Sequence, residues 1–211
     1  MEPLVSLRNV ALSTPSYSIL QPISLSIEAG SAIAIIGPNG AGKSSLLRVL
    51  ATLTPPSAGD GQVLGARLGN REVLRVRHRI GLAGHIPALA PGLTLGENLS
   101  FYARLAGISE DRVEPALESV GLTGARNRRA VDCSAGMRRR ADLSRLLVNS
   151  PQLLLLDEPT DTLDSSARPI VDQLVLRTIS KGGVAVVVSH DRENLGDNIH
   201  RIHALENGKL A

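Results

Sequence analysis

The sequence predicts an α/β fold in which a parallel-sheet unit is interrupted by a helical insert, and three observations carry that expectation. The runs at 31–36, 153–156 and 184–188 are short and almost unbroken in apolar residues, the pattern of strands covered on both faces. The chain opens instead with alternation, loose from Leu4 through Leu7 to Val10 and tight from Ile23 through Leu25 to Ile27, as in antiparallel strands with one buried face. Between about 90 and 150 the apolar spacing becomes helical.

In chain order, the strand at 31–36 runs into a glycine-rich loop and then a helical pattern carried by Leu46, Leu47 and Leu50. Thr54-Pro55-Pro56-Ser57-Ala58-Gly59-Asp60-Gly61 is turn chemistry throughout and is expected to be a loop. A strand at 80–83 leads into a Pro- and Gly-rich loop. Thr94-Leu95-Gly96-Glu97 has capping-box spacing, and Leu95, Leu99 and Tyr102 share a face of the helix that follows. Val113, Leu117 and Val120 share a face of a second helix, whose start is blurred by Pro115. Met137, Ala141, Ser144 and Val148 line a third. The strand at 153–156, a helix at about 169–179, the strand at 184–188 and a last strand near 202–205 complete the chain. The expected division of this single domain is a core of 1–86 and 151–211 with a helical subdomain at about 87–150.

At 211 residues, 43% hydrophobic and 20% charged, the chain suits one globular domain with a substantial core. No apolar run approaches the roughly 18–20 residues of a membrane-spanning helix. Met1-Glu2-Pro3 lacks the basic start and apolar block of a secretory leader. Cys133 is the single cysteine, so an intrachain disulfide is excluded and a reducing cytosol is expected. The net charge of +3 says little about partners. Tyr17, Phe101 and Tyr102 are the only aromatic residues and Arg138-Arg139-Arg140 the one obvious basic cluster, so no nucleic-acid partner is expected. The arginine triplet reads as a solvated helix face with an Arg138–Asp142 pair at i,i+4, the alternative being contact with an acidic partner.

Four segments carry chemistry. Gly37-Pro38-Asn39-Gly40-Ala41-Gly42-Lys43-Ser44 fits G-x-x-x-x-G-K-[ST] between a buried strand and a helix. Its glycines let backbone N–H groups turn inward around phosphate oxygens, and the helix N-terminus adds partial positive charge. Lys43 is placed to reach the β- and γ-phosphates and Ser44 to ligate Mg²⁺. Asp157-Glu158 ends a buried strand, where two charges need a cation or a reactant to meet. Asp157 is placed for Mg²⁺ and Glu158 to polarise an attacking water. His190 follows the strand at 184–188, whose end should lie at the same sheet edge. Ser134-Ala135-Gly136-Met137 precedes the third insert helix and reads either as a second anion site, offered to a partner's nucleotide, or as a plain N-cap at Ser134.

In this order the segments resemble the ATP-binding-cassette family over essentially the whole chain. Ser134-Ala135-Gly136-Met137 is similar to its signature loop with Cys133 in the Leu position, Leu163-Asp164 to its D-loop and His190 to its switch histidine. The resemblance implies a P-loop NTPase fold: an α/β core with an antiparallel β-subdomain and an inserted helical subdomain. It also implies ATP and Mg²⁺ at the site, Gly37 to Ser44 and Ser45 around the phosphates, and a head-to-tail dimer, expected as a homodimer, in which Asp164 and the signature loop face the partner's ATP. Three departures stand out. His85, in Gly84-His85-Ile86-Pro87, occupies the family's Gln position and so inherits a catalytic and metal-sensing assignment. The signature carries Ala135 and Met137 for Gly and Gln. Tyr17, the only aromatic before the P-loop, falls about three residues from the usual place of the adenine-stacking ring, so stacking and simple loop packing both stand open. Gly84-His85-x-Pro87, Glu97-Asn98-Leu99-x-Phe101-Tyr102 and Ser-Ala-Gly in the signature resemble the haem-exporter ATPases of cytochrome c maturation. Drug, lipid and polysaccharide exporters share part of that pattern, and a soluble non-transport ABC ATPase is the remote alternative. The expected partners are integral membrane permease subunits, with the chain peripheral at the cytoplasmic face of the inner membrane.

Overall fold

The opening alternation folds into antiparallel strands, as expected. In the computed structural model, which describes residues 2–160 and 167–211, β1 (Val5–Ser13) pairs with β2 (Ser18–Ile27), setting Val5 opposite Ile27 and Leu7 opposite Leu25. β3 (Ala32–Ile36) is buried on both faces and leads through the glycine-rich loop into α1 (Lys43–Leu50). One expectation fails next: part of the segment read as a loop is β4 (Ala58–Val63), antiparallel to β1, followed by the short β5 (Ala66–Arg67). The glycines that signalled a turn serve a close approach between strands. At Gly59, with φ of 83°, an added Cβ would sit 2.1 Å from the Asn9 carbonyl oxygen, beside the point where the β1–β4 register shifts. The four strands run in the order β2-β1-β4-β5.

The second sheet draws strands from across the chain. β6 (Ile80–Ala83) is followed by three helices, α2 (Leu95–Leu105), α3 (Val113–Ser119) and α4 (Ala135–Asn149). β7 (Leu153–Asp157), α5 (Ala167–Ser180), β8 (Val184–Ser189), β9 (Arg201–Glu206) and β10 (Lys209–Leu210) complete it. The order is β10-β9-β3-β8-β7-β6, parallel except for the terminal β9–β10 hairpin. Residues of β7 and β8 alternate between two cores. Leu153, Leu155, Val184, Val186 and Val188 pack with α1 and the antiparallel sheet, while Leu154, Leu156, Ala185 and Val187 pack with the helices from α2 to α5.

Pro115 sits in the first turn of α3, where its missing N–H costs nothing, and Val113, Leu117 and Val120 are buried as the spacing predicts. α4 touches α2, α3, α5 and β6, so it is enclosed along most of its length rather than on one face. The loop between β6 and α2 is held by side chains: Asn98 accepts from Ala90 N at 2.7 Å and donates to the Ala90, Leu93 and Thr94 carbonyls, and Tyr102 donates to Ala88 O at 2.6 Å. Thr94 and Glu97 close the capping box, Thr94 Oγ1 accepting from Glu97 N at 3.1 Å and Glu97 Oε2 from Thr94 N at 2.8 Å.

The Thr94 backbone N–H, and then its side chain, hold the Glu97 carboxyl below its ordinary pKa of 4.5. A depressed folded-state pKa gives stability that is present above the unfolded value and is lost as pH falls through the folded one. Glu97→Ala is therefore expected to lower the thermal midpoint at pH 7, with the gap to the wild type narrowing as pH drops below about 4.5; thermal circular dichroism across that range checks it.

Candidate functional site

Parallel pairing brings the ends of three strands level. Ile36 of β3 lies beside Ser189 of β8, and Val188 of β8 beside Asp157 of β7. The next residues along each strand, Gly37, His190 and Glu158, therefore emerge at one edge, where open α/β sheets place their ligands.

At that edge the glycine-rich loop turns into α1 at Gly42, whose φ of 100° is left-handed and whose absent Cβ would lie 3.0 Å from Ile19 O and 2.8 Å from Leu20 Cδ2. Lys43 is buried, and its Nζ donates to Gly37 O at 2.7 Å and Pro38 O at 3.1 Å. The same Nζ lies 3.6 Å from Glu158 Oε1. The first N–H groups of a helix have no partner within it, so the start of α1 presents donors and partial positive charge to this spot. A cavity of about 320 Å³ opens over it, lined by Tyr17, Asn39, Gly40, Ser44, Ser45 and Glu158 among others. Tyr17 is 64% exposed and stands on the cavity wall.

Asp157 ends β7 as a buried carboxylate. Glu158 follows with φ of 47°, a left-handed conformation uncommon for a residue with a side chain, and its N–H donates to Val188 O at 3.0 Å. Its side chain reaches both ways: Oε1 toward Lys43, and Oε2 to 3.8 Å from Nδ1 of the exposed His85. His190 is exposed just beyond β8, where Ser189 Oγ accepts from Asp191 N at 3.1 Å and shapes the turn. Lys43, Glu158 and His85 thus meet, with Asp157 and His190 on the same edge.

The signature-like segment lies elsewhere. Ser134 N-caps α4, its Oγ accepting from Met137 N at 3.2 Å, and Ser134, Ala135, Gly136 and Met137 are not among the residues lining the cavity. Gly37, Pro38 and Ala41 belong to the glycine-rich loop but do not line the cavity, and Ala41 N donates to Pro38 O at 3.2 Å. Leu163 and Asp164 lie outside the described residues.

The arginine triplet is not the solvated face its charge suggested. Arg138 donates to Cys133 O at 2.5 Å rather than pairing with Asp142, and Arg139 is buried. Asp142, wholly buried, pairs at i,i+3 in both directions: 2.7 Å to Arg145 Nε and 3.8 Å to Arg139 Nη1. Its Oδ1 also accepts from Ala88 N at 3.0 Å, and Arg145 donates to Leu82 O with its guanidinium over the Tyr102 ring. Arg139 donates to Gly84 O at 2.6 Å, Glu158 O at 3.2 Å, and Asp157 O and Pro159 O at 3.3 Å. Burial pulls its guanidinium below the ordinary range, against the opposing charges of Asp142 and Asp157. The sequence held a usable signal, since Arg139, Asp142 and Arg145 are spaced by three. Reading α4 as a helix with one buried face concealed it, because enclosure on all sides buries those positions too.

A glycine-rich loop at a helix start, with a lysine and a carboxylate facing each other across the end of a parallel sheet, defines a nucleotide-binding site of the P-loop kind. The family model described as ABC transporter matches residues 20–161. The cytochrome c biogenesis ATP-binding export protein CcmA 2 of Cupriavidus metallidurans is 35% identical over 195 residues, covering 90% of this chain and 91% of that protein. The Nod factor export ATP-binding protein I of Rhizobium johnstonii is 34% identical over 209 residues, covering 97% of this chain and 67% of that protein. A solved dimeric ATP-binding cassette in a post-hydrolysis state, bound to ADP and Pi, superposes with a TM-score of 0.84 at 27% identity, covering 98% of this chain and 96% of its own. The chain belongs to the ABC transporter family and is one of its ATP-binding subunits, an ATPase coupled to transport across a membrane.

Removing one member of a buried charge network leaves its partners uncompensated. Asp142→Ala, which strands Arg139 and Arg145, is expected to cost about 3–5 kcal/mol of unfolding free energy, read from urea denaturation midpoints at unchanged slope.

Proposed function

We propose that this subunit hydrolyses ATP for an exporter, with haem export for cytochrome c maturation as its system. The observation that carries the ATPase assignment to particular residues is the meeting of Lys43 and Glu158, 3.6 Å apart in the lining of the cavity. Gly37 to Ser45 enclose the phosphates, Lys43 balances β- and γ-phosphate charge, and Glu158 polarises the attacking water. His190 hydrogen-bonds the γ-phosphate, Tyr17 packs on the adenine, and His85 senses the γ-phosphate beside Glu158. Among the described residues no three His, Cys, Asp or Glu side chains form a cage for a metal ion. The donors at the sheet edge, the Ser44 hydroxyl and the Asp157 carboxylate, are hard oxygens of the sort Mg²⁺ takes along with waters and nucleotide phosphates. Bound there, Mg²⁺ would neutralise charge on the phosphates; His85, an imidazole, is less suited to it than either oxygen donor. Ser134 to Met137, and Asp164, serve the ATP of a second subunit in a homodimer.

Among the described residues no helix is long and apolar enough to cross a membrane. The partners in this reading are integral membrane permease subunits, to which the subunit passes force. The loop at 85–93 and the face of α2 that carries Phe101 form the docking region, with the helical subdomain at about 87–150 as the moving part. Ile86, Leu93, Phe101 and Leu105 are exposed apolar side chains there. Phe101, half exposed, is free to contact a partner, whereas Tyr102 is held against Ala88 and Arg145. The chain would sit peripherally at the cytoplasmic face of the inner membrane. Haem export rests on Gly84-His85-Ile86-Pro87 together with the similarity to the CcmA proteins. Similarity of the same order to the Nod factor export proteins makes that kind of export the second reading.

Lys43→Ala is expected to abolish ATP binding and turnover together. Glu158→Gln is expected to keep binding and to lower turnover by about 10²- to 10⁴-fold while accumulating an ATP-bound dimer, read by nucleotide titration, phosphate release and light scattering with the permease present. Leu93→Glu is expected to prevent co-purification with the permease and leave nucleotide affinity unchanged. A clean deletion, with no paralogue present, is expected to leave c-type cytochromes without attached haem; normal holocytochrome levels would discard the haem reading.

A further inference from the structure

We infer that Arg139 is a positioning residue for ATP hydrolysis, fixing the backbone at Glu158 and His85 from the helix that begins at Ser134. The inference rests on the assignment of Glu158 to water activation. Its physical basis is one guanidinium shared among four carbonyls on two separate loops. Asp157, Glu158 and Pro159 turn three successive carbonyl oxygens toward Arg139, at 3.2–3.3 Å. A chain leaving a strand in ordinary extended geometry alternates its carbonyls, and the left-handed φ of 47° at Glu158 is what gathers them. That conformation carries a steric cost for a residue with a Cβ and persists only where its surroundings hold it. Arg139 supplies such a hold from behind, while Glu158 N is tied to Val188 O in front. The fourth acceptor, Gly84 O at 2.6 Å, belongs to the peptide bond that joins Gly84 to His85.

Asp142 does not account for Arg139 by itself. Its closer partner is Arg145, at 2.7 Å against 3.8 Å. A packing role alone would favour an apolar side chain of similar volume, since desolvating a guanidinium is costly. The site instead uses what arginine has and lysine lacks, a rigid planar fork that serves several acceptors in different directions. Because Arg139 lies in the second turn of α4, a shift of that helix changes the support of both loops at once. Ser134, which does not line the cavity, and Glu158, which does, are thereby joined through five residues of helix and one side chain.

The test uses the full chain and compares wild type, R139K, E158Q and the double variant in steady-state turnover, ATP-analogue binding and thermal midpoint. R139K keeps the charge and most of the volume but loses the fork. It is expected to lower kcat by about 10- to 100-fold, as for displacement of a reacting group by an ångström or so, with KM and nucleotide affinity near wild type. In the E158Q background the same substitution is expected to reduce kcat by less than about threefold, because residues acting as a unit are not additive. Full turnover in R139K, or the same fold-loss in both backgrounds, overturns the inference, the latter leaving Arg139 a general structural residue. Should R139K fail to fold, R139Q, which retains a donor without the buried charge, enters the same cycle with the same criteria. Undiminished turnover in E158Q would overturn the assignment beneath the inference as well, an outcome distinct from reduced turnover in E158Q with full turnover in R139K.

Discussion

The structure depends on the parallel register of β3, β8 and β7. Each of these strands is covered by helices or by the second sheet on both faces, so its interior positions accept only apolar side chains. Polar groups are confined to the strand ends, and the common direction of the three strands brings those ends to one edge. Asp157, Glu158 and His190 lie at this edge because burial leaves charge nowhere else to go along these strands, and Lys43 reaches it from the start of α1. The glycine-rich loop, the left-handed turn at Glu158 and the exposed position of His190 are three ways of leaving the same edge.

α4 is the second constraint, and it runs against the first. Asp142 and Arg139 are charges in the interior of a helix enclosed on all sides, where apolar residues would be the cheaper filling. Their cost is offset by hydrogen bonds to backbone groups, at Gly84 and Ala88 on one side and at Asp157 to Pro159 on the other, and Arg145, paired with Asp142, adds one to Leu82. The helix that begins at Ser134 is thereby secured to both loops of the sheet edge by polar bonds with fixed directions. Apolar packing would let the helix slide; directed bonds make its position and that of the two loops interdependent.

Much of this was legible in the sequence because period and punctuation agreed. The buried runs, the capping box at Thr94 and the glycine-rich loop each have a local cause, and each element formed where that cause lay. The misreadings share a different origin. Gly59 and Gly61 spell a turn locally, but what they serve is the approach of β1, a strand some fifty residues earlier in the chain. Arg139 looks like a surface residue in its own heptad, and its partners at Gly84 and Glu158 are about 55 and 19 residues away. In both cases the deciding contact is long-range and polar or steric, which neither periodicity nor propensity registers. The candidate site residues could be named as a set because their types are tied to phosphate chemistry; the support behind Glu158 could not, since backbone carbonyls carry no sequence identity.

The strand order has a bearing on how the chain comes to be folded at all. The antiparallel sheet is made wholly from residues before about 68 and can assemble early in synthesis. β3, by contrast, is flanked on both sides by strands from the far end, β8 and β9, and Ala32 pairs with Ala185. At synthesis rates of about 5–20 residues per second, those roughly 150 residues take about 8–30 s to appear. Through that interval an apolar five-residue strand has two open edges, the condition under which strands recruit the wrong neighbours. Helix α1, immediately downstream, and the antiparallel sheet share the core of Ile33 and Ile35, and they cover one face of the strand in time while leaving its edges open. The glycine-rich loop is thus made early and completed last, the sheet edge beside it closing only when the final fifth of the chain is laid in place.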